Sequence, residues 1–403
     1  MWAATWGQVF AGLGLAPPRA ALRLSTRFYR PAGKRDTIFA LSSGHGKCGV
    51  AVIRASGPAS GAALQRLTGQ QELPPPRAVT LRRIRDPSSA ETLDKGLVVW
   101  FPGPRSFTGE DCAELQVHGG PAVVSGVLQA LGRLPGLRPA DPGEFTKRAF
   151  QNGKLDLTEV EGLGDLIHAE TEAQRRQALR QMEGELGQLY QRWSEELTKA
   201  LAHVEAFIDF SEDDNLEEDV LAGVDTAVQT LQREVTGHLQ DGRRGERLRG
   251  GVHVVIAGPT NAGKSSLLNL LSRRPVAIVS PVAGTTRDVV ESALNIGGYP
   301  VVLSDTAGLR QSQDAVEQEG MSRARDRCGN PLAGSPSLTQ ARHRLHLTSC
   351  LDSLGRYHGY KALDLVLAAE ELRLARRHLG KITGRVSAEE ILDIIFRDFC
   401  VGK

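Results

Sequence analysis

The sequence predicts an α+β N-terminal domain followed by an α-helical domain into which an α/β unit is inserted. Three observations predict it. Short apolar runs broken by turn residues fill residues 36–150. Apolar residues at helical spacing dominate residues 151–248 and 335–403. Between those stretches, in residues 249–334, an apolar strand runs directly into a glycine-rich loop and an amphipathic helix.

Each element has its own signal. Ile38–Leu41, Gly49–Ile53 and Leu97–Phe101 read as strands, and the prolines at 74–76, 102 and 104 break the pattern. Pro121 to Leu134 reads as a helix. Leu155, Val160, Leu163 and Ile167 recur at helical spacing, and Thr158-x-x-Glu161 has the form of a capping box. Trp193, Leu197, Leu201, Val204 and Ile208 continue the helical pattern. The acidic residues at 212–214 and 217–219 read as a loop and a solvated helix start, and Arg243–Arg247 as a linker. Val252–Ala257 and Val301–Leu303 are strand-like. Ser387-x-x-Glu390 caps a last amphipathic helix carrying Ile391, Ile394 and Ile395. Neither helical stretch alone buries much apolar surface, so the two are expected to share one core.

Composition narrows the classes. The chain has 403 residues, 40% hydrophobic and 24% charged, enough for two or three domains. No apolar run approaches the roughly 20 residues needed to span a bilayer. A net charge of +2 excludes a globally basic nucleic-acid binder, so any RNA contact has to come from local patches. The five cysteines (Cys48, Cys112, Cys328, Cys350, Cys400) form no CxxC pair and no zinc spacing, which points to reduced thiols. Residues 1–35 hold Arg19, Arg23, Arg27, Arg30, Lys34 and Arg35 and no acid before Asp36. That is the pattern of a mitochondrial transit peptide; a basic tail is the alternative.

The most specific chemistry lies at Gly258-Pro259-Thr260-Asn261-Ala262-Gly263-Lys264-Ser265, which fits G-x-x-x-x-G-K-S. Glycines let backbone N–H groups turn inward around phosphates. Lys264 supplies a point charge to β and γ phosphates, and Ser265 offers a hydroxyl to Mg²⁺. The helix opening at Ser266 aims its positive end at the same anion. Downstream, Gly284-Thr285-Thr286-Arg287-Asp288 places a threonine, Thr286, to complete the Mg²⁺ shell. Asp305-Thr306-Ala307-Gly308 follows the second strand, where Asp305 can hold Mg²⁺ through water and the Gly308 N–H can sense a γ phosphate. This ordered set favours GTP over ATP. A generic ATPase would explain the glycine loop but not the two later motifs.

These motifs resemble those of the MnmE (TrmE) family of tRNA-modification GTPases. The resemblance extends to Phe107-Thr108-Gly109-Glu110-Asp111, Glu114–Gly120, Pro142–Phe150, Asn152–Leu157 and the terminal Phe399-Cys400-Val401-Gly402-Lys403. It covers nearly everything from Asp36 onward. It implies a tetrahydrofolate-binding, dimerising N-terminal domain at 36–150, a helical domain in two parts (151–248 and 335–403) and a P-loop GTPase domain at 249–334. The folate, 5,10-methylene- or 5-formyl-tetrahydrofolate, would meet Arg54, Glu114, Lys154 and Lys403. K⁺ would be held near Asn261, Ser280, Val282 and Thr285, and Glu317 would stand near the attacking water, since Leu309 cannot orient it. The resemblance further implies an FAD-containing MnmG (GidA)-type partner, mitochondrial tRNA as substrate, modification at C5 of the wobble uridine to 5-taurinomethyluridine, and a mitochondrial matrix location.

Blander readings stand beside several of these residues. Arg54, Glu114 and Lys154 also fit a surface salt-bridge set, Glu317 a solvated helix position, and Cys400 a small buried thiol rather than a reactive one. Arg342, Arg344, Arg356, Lys361, Arg373, Arg376, Arg377 and Lys381 either touch tRNA phosphates or form a solvated face.

One departure is plain. After Arg323–Arg327 the chain passes through Cys328–Pro336 directly to the C-terminal helices, and no Asn-Lys-x-Asp occurs anywhere. The nucleotide unit is left with roughly 80 residues against about 100–200 for an ordinary domain. An internal deletion truncating the GTPase domain accounts for this. The base-reading carboxylate is lost with it, so weak nucleotide binding with little preference for guanine is expected. The alternative to a working GTPase is therefore an assembly or regulatory form that binds folate and dimerises without hydrolysing GTP.

Overall fold

The computed structural model describes residues 36–210, 219–240, 244–255, 291–304 and 340–386, together with Ile395 and Gly402. Within it, alternating apolar residues build a six-stranded sheet from β1 (Thr37–Leu41), β2 (Cys48–Ser56), β3 (Thr80–Arg85), β4 (Thr92–Phe101), β5 (Cys112–Gly119) and β6 (Leu137–Pro139). The order is β3-β4-β5-β2-β1-β6, with β1 and β6 parallel and the other pairs antiparallel. The period of two sends Ala51, Ile53 and Ala55 of β2 to one face. There they pack with Leu64 and Leu67 of α1 (Ser60–Thr68) and Val127 and Leu131 of α2 (Pro121–Arg133). The expected strands at 38–41, 49–53 and 97–101 and the helix from Pro121 are all present.

The opposite face is covered at one end by α3 (Glu144–Gln151), whose Phe145 packs on Ile38 and Ala40. Beneath it lies a buried polar network. Arg148 donates to Glu110 at 2.9 Å, to Glu144 at 3.1 Å and to the Asp36 carbonyl at 2.9 Å. Burial resists ionisation of Glu144, but the hydrogen bonds from Arg138 and the Asp141 amide hold its carboxyl below the usual range.

The helical part comprises α4 (Leu157–His168), α5 (Glu172–Met182), α6 (Glu185–Phe210), α7 (Asp219–Leu239) and α8 (Arg244–Gly250), then α9 (Ala341–Tyr360) and α10 (Leu365–Thr383). Trp193, Leu197 and Val204 of α6, Val228 and Leu231 of α7, Leu347 and Leu354 of α9 and Leu372 and Leu379 of α10 form one buried core. The two helical stretches thus complete each other, as their incomplete apolar faces required. Among the described residues, no helix is long and apolar enough to cross a membrane.

Two local expectations are corrected. The capping box of α4 is Asp156 with Glu159, not Thr158 with Glu161: the Asp156 carboxylate accepts from the Glu159 amide at 2.9 Å, and Glu159 accepts from the Asp156 amide at 2.7 Å. Asp156 sits in extended backbone just before the helix, whereas Thr158 is already in its first turn and donates to Asp156. The stretch read as a linker at Arg243–Arg247 is helical from Arg244, with Leu248 buried. The cap at Ser387 and Glu390 and the acidic residues at 212–214 lie outside the described residues.

Glu161 has a tertiary role instead. Only 3% of its side chain is exposed, and it pairs with Arg342 at 2.5 Å and with His343 at 2.8 Å on α9. Burial opposes its charge, but His343 and Arg342 hold it down to about 2; burial also lowers His343, so Arg342 is the partner that stays charged at neutral pH and His343 serves by its hydrogen bond. The carboxyl is thus lowered by folding from an ordinary 4.5. Its stabilisation is complete above pH 4.5 and is lost as the pH falls toward 2. Glu161→Gln should cost about 3–5 kcal/mol, as removal of one partner of a buried ion pair does, and should flatten the acid limb of a denaturant-stability profile between those pH values. A variant with wild-type stability at pH 7 would show that the pair contributes nothing.

Candidate functional site

Strand register assembles the first candidate site. Ala40 of β1 lies opposite Arg54 of β2, Arg54 opposite Glu114 of β5, and Glu114 opposite Val99 of β4. Directly opposed residues share a face, so this row crosses the face that bears α3. Arg54 donates through Nε at 2.9 Å and through a terminal nitrogen at 2.8 Å, both to Oε1 of Glu114. Oε2 has no protein partner among the described residues. The Arg54 guanidinium carbon lies 5.3 Å from the Phe107 ring centre and 5.8 Å from that of Phe145, a double cation–π contact. Both side chains of the ion pair are about one-sixth exposed, so the pair is open at its edge.

The loop between β4 and β5 brings in Lys154. Its Nζ donates to the Pro104 carbonyl at 3.3 Å, and Asn152 donates to the Thr108 carbonyl at 2.7 Å. Gly109 has φ +80°, and a β-carbon there would meet Asn152 Cβ at 3.1 Å and Lys154 Cγ at 3.4 Å, so a glycine lets the loop pack this close. Lys154 therefore lies across the loop from the Arg54–Glu114 pair rather than in contact with it. The chain terminus also returns here. Ser42, just beyond β1, donates its hydroxyl to the Gly402 carbonyl at 2.8 Å. Lys403 and Cys400 lie outside the described residues. Phe107, Phe145 and Ser42 escaped the reading of the sequence as site residues. Phe107 and Phe145 stand inside the family-like motifs, but nothing local marks a ring for stacking on a cation.

The second candidate site is seen only through its strands. β7 (Val252–Val255), β8 (Glu291–Ile296) and β9 (Tyr299–Ser304) form a sheet ordered β7-β9-β8. β7 and β9 are parallel, with Val255 opposite Ser304. Their C-terminal ends therefore lie side by side, and the chain leaves them three residues before Gly258 and one before Asp305. In open α/β sheets that edge is where ligands bind. Asn261, Ala262, Gly263, Lys264, Ser265, Ser266, Ser280, Val282, Thr285, Thr286, Asp305, Thr306, Ala307, Gly308 and Glu317 all lie outside the described residues.

A sheet domain with a charged, ring-backed pair, joined to a helical bundle interrupted by a unit with a phosphate-loop sequence, defines a class of multidomain nucleotide-type proteins. Residues 37–154 match the profile described as GTP-binding protein TrmE N-terminus, and residues 157–400 match the MnmE helical domain. The chain belongs to the MnmE (TrmE) family. It is 55% identical to the mitochondrial 5-taurinomethyluridine tRNA synthase subunit GTPB3 of Danio rerio, over 91% of this chain and 93% of that one. It is 52% identical to the Homo sapiens protein of the same name over all of both chains. The tRNA modification GTPase MnmE of Parvibaculum lavamentivorans is 50% identical over 91% of this chain and 100% of its own. By its relationship to the vertebrate proteins, the chain is mitochondrial.

The terminal contact can be tested directly. A β-carbon on Gly402, which has φ +97°, would stand 2.1 Å from the Leu41 carbonyl. Gly402→Ala should therefore free the terminus, and carboxypeptidase B should release Lys403 faster than from the wild type. Equal release rates would mean that the Ser42 contact does not hold the tail.

Proposed function

We propose that this chain is the folate-binding subunit of a mitochondrial machine that modifies C5 of the wobble uridine in tRNA. The observation that carries it is the Arg54–Glu114 pair on an accessible sheet face. A carboxylate with one open oxygen, Oε2, accepts N–H donors of a heterocycle such as a pterin. Arg54, Lys154 and the terminal lysine, Lys403, supply cations for the carboxylates of a folate tail. The rings of Phe107 and Phe145 keep Arg54 in place. When bound, the folate supplies the one-carbon unit; the residues here bind and orient it. A purely structural ion pair is the competing account, and the open edge argues against it.

The same face supports a homodimer. Leu81 of β3 pairs with Leu97 of β4 beside the Arg54–Glu114 row, and Val79 and Leu81 are more than half exposed. An apolar stripe of this kind marks an interaction surface. The remaining partners in this reading are an FAD-containing MnmG (GidA)-type subunit and mitochondrial tRNA in the matrix.

In the inserted unit, Lys264 and the inward-turned amides would hold the phosphates of GTP. Ser265, Thr286 and Asp305 would serve Mg²⁺, and Asn261, Ser280, Val282 and Thr285 would serve K⁺. Gly308 would sense the γ phosphate and Glu317 would stand by water. A second reading, a form that binds folate without hydrolysing GTP, has its own support. The alignment with the human relative runs over 496 positions, whereas this chain has 403 residues, so about 93 positions have no counterpart here. With no Asn-Lys-x-Asp segment to read guanine, affinity should be weak and should differ little between GTP and ATP.

Arg54→Ala and Glu114→Gln should each weaken 5-formyl-tetrahydrofolate binding by roughly tenfold or more in calorimetry, the scale of one charge-assisted hydrogen bond, without loss of the folded state. Unchanged affinity in both variants would leave only a structural ion pair. In separate titrations, GTP and ATP should bind within about a factor of ten of each other, and hydrolysis should not rise when potassium replaces sodium. Tight, GTP-selective binding with potassium-stimulated turnover would establish the working GTPase and remove the second reading.

A further inference from the structure

The eight cations that make α9 and α10 basic fall into two groups. Arg342, Arg344, Arg356 and Lys361 are engaged by Glu161, Glu246, Glu371 and Asp225, and Arg373 by Glu205 and Glu370. These five are struts of the bundle. Arg376, Arg377 and Lys381 have no carboxylate partner among the described residues; the side chain of Arg376 meets only the Thr198 hydroxyl, at 3.4 Å. From Glu371 to Glu389 the sequence contains no other acid, while Arg373, Arg376, Arg377, Lys381 and Arg385 all fall within it.

Arg377 and Lys381 are one helical turn apart, about 6 Å along the axis. Beside them, across the α9–α10 seam, His346 and His378 stand with ring centres 5.8 Å apart. Burial first, and then His378, Arg342 and Lys381, push His346 down to about 4. Burial, Lys381, Arg356 and Arg377 lower His378 likewise, with Asp352 opposing. The outer surface of α10 thus carries three cations without a carboxylate partner among the described residues, flanked on the α9 side by two imidazoles that burial keeps uncharged. Arg376 and Arg377 are exposed on the helix surface. Such an array fits an extended polyanion with regularly spaced charges better than a small anion.

We propose that the exposed face of α10, through Arg376, Arg377 and Lys381, is a docking surface for the phosphate backbone of RNA. This rests on the tRNA-modification reading above and names the surface by which the chain would hold that substrate. The contact is to phosphates, so it positions the RNA and carries no sequence information.

The test is fluorescence anisotropy of the full chain with labelled tRNA over a range of salt. The variant Arg376→Ala/Arg377→Ala/Lys381→Ala should weaken binding by roughly tenfold or more and should lower the slope of log K against log salt by about 2–3, the share of three phosphate contacts. Arg376→Lys/Arg377→Lys should retain most of the affinity, and Arg66→Ala, on the exposed side of α1, should change neither quantity. Unchanged affinity and slope in the triple variant would overturn the proposal. So would a loss seen only with phosphatidylserine vesicles, which would assign this face of α10 to a membrane surface. Wild-type protein without affinity for tRNA would also overturn it, while the folate titrations would still decide the reading on which it rests.

Discussion

Two carboxylates one turn apart on α4 hold both connections to the inserted unit. Glu161 receives Arg342 and His343 at the start of α9, where the chain re-enters the bundle. Asp165 receives Arg249 at 2.6 Å, at the end of α8, where the chain leaves it. Burial raises the Asp165 carboxyl and Arg249 only partly offsets this, so the outgoing clamp is the weaker of the two. Arg342 also donates to the Ile382 carbonyl at 2.9 Å, which ties the end of α10 to the same point. Arg344 of α9 adds a second tie across the insertion, to Glu246 of α8 at 3.0 Å and to the Leu239 carbonyl of α7 at 2.7 Å.

α4 matters for the N-terminal domain as well. The segment that enters it carries Asn152 and Lys154, which grip the β4–β5 loop, and that loop carries Phe107 onto Arg54. A continuous set of contacts therefore runs from the insertion's connections to the charged pair on the sheet. The β8–β9 turn touches the other side of the joint, where the Gly298 carbonyl accepts from the Ala173 amide of α5 at 3.2 Å. Gln174, the partner of Thr171 in the capping box of α5, donates to the Arg249 carbonyl at 3.2 Å. Helix ends and ion pairs, rather than apolar packing, make this joint. That suits a boundary between units that fold around separate cores.

Much of this was legible in the sequence because it depends on local periodicity. Short apolar runs bounded by turn residues marked β1, β2 and β4, and the i, i+3, i+4 pattern marked α4 and α6. The motif at Glu114 pointed to a site residue, and register then placed it beside Arg54. The capping box was misplaced because Thr158 and Glu161 have the right spacing and chemistry; only the backbone shows that Asp156 already occupies the cap. The linker at Arg244 was misread because its glycine and charges look like a loop, whereas burial of Leu248 stabilises a short helix. The basic C-terminal helices looked uniform in sequence. Their division into struts and unpaired cations depends on carboxylates far away in the chain, at Glu161, Glu205, Asp225 and Glu246.

The amino-acid sequence alone carried the G-x-x-x-x-G-K-S pattern that ends at Lys264 and Ser265, and the absence of an Asn-Lys-x-Asp segment, since each is written in contiguous residues. Tertiary structure alone decided that Arg54 stands against Glu114 between two aromatic rings, that Gly402 returns to Ser42, and that Glu161 is a clamp rather than a cap. The physical reason is range. Backbone geometry and capping are fixed over three or four residues, whereas the partner of a charge is chosen by whichever group folding brings within about 3 Å.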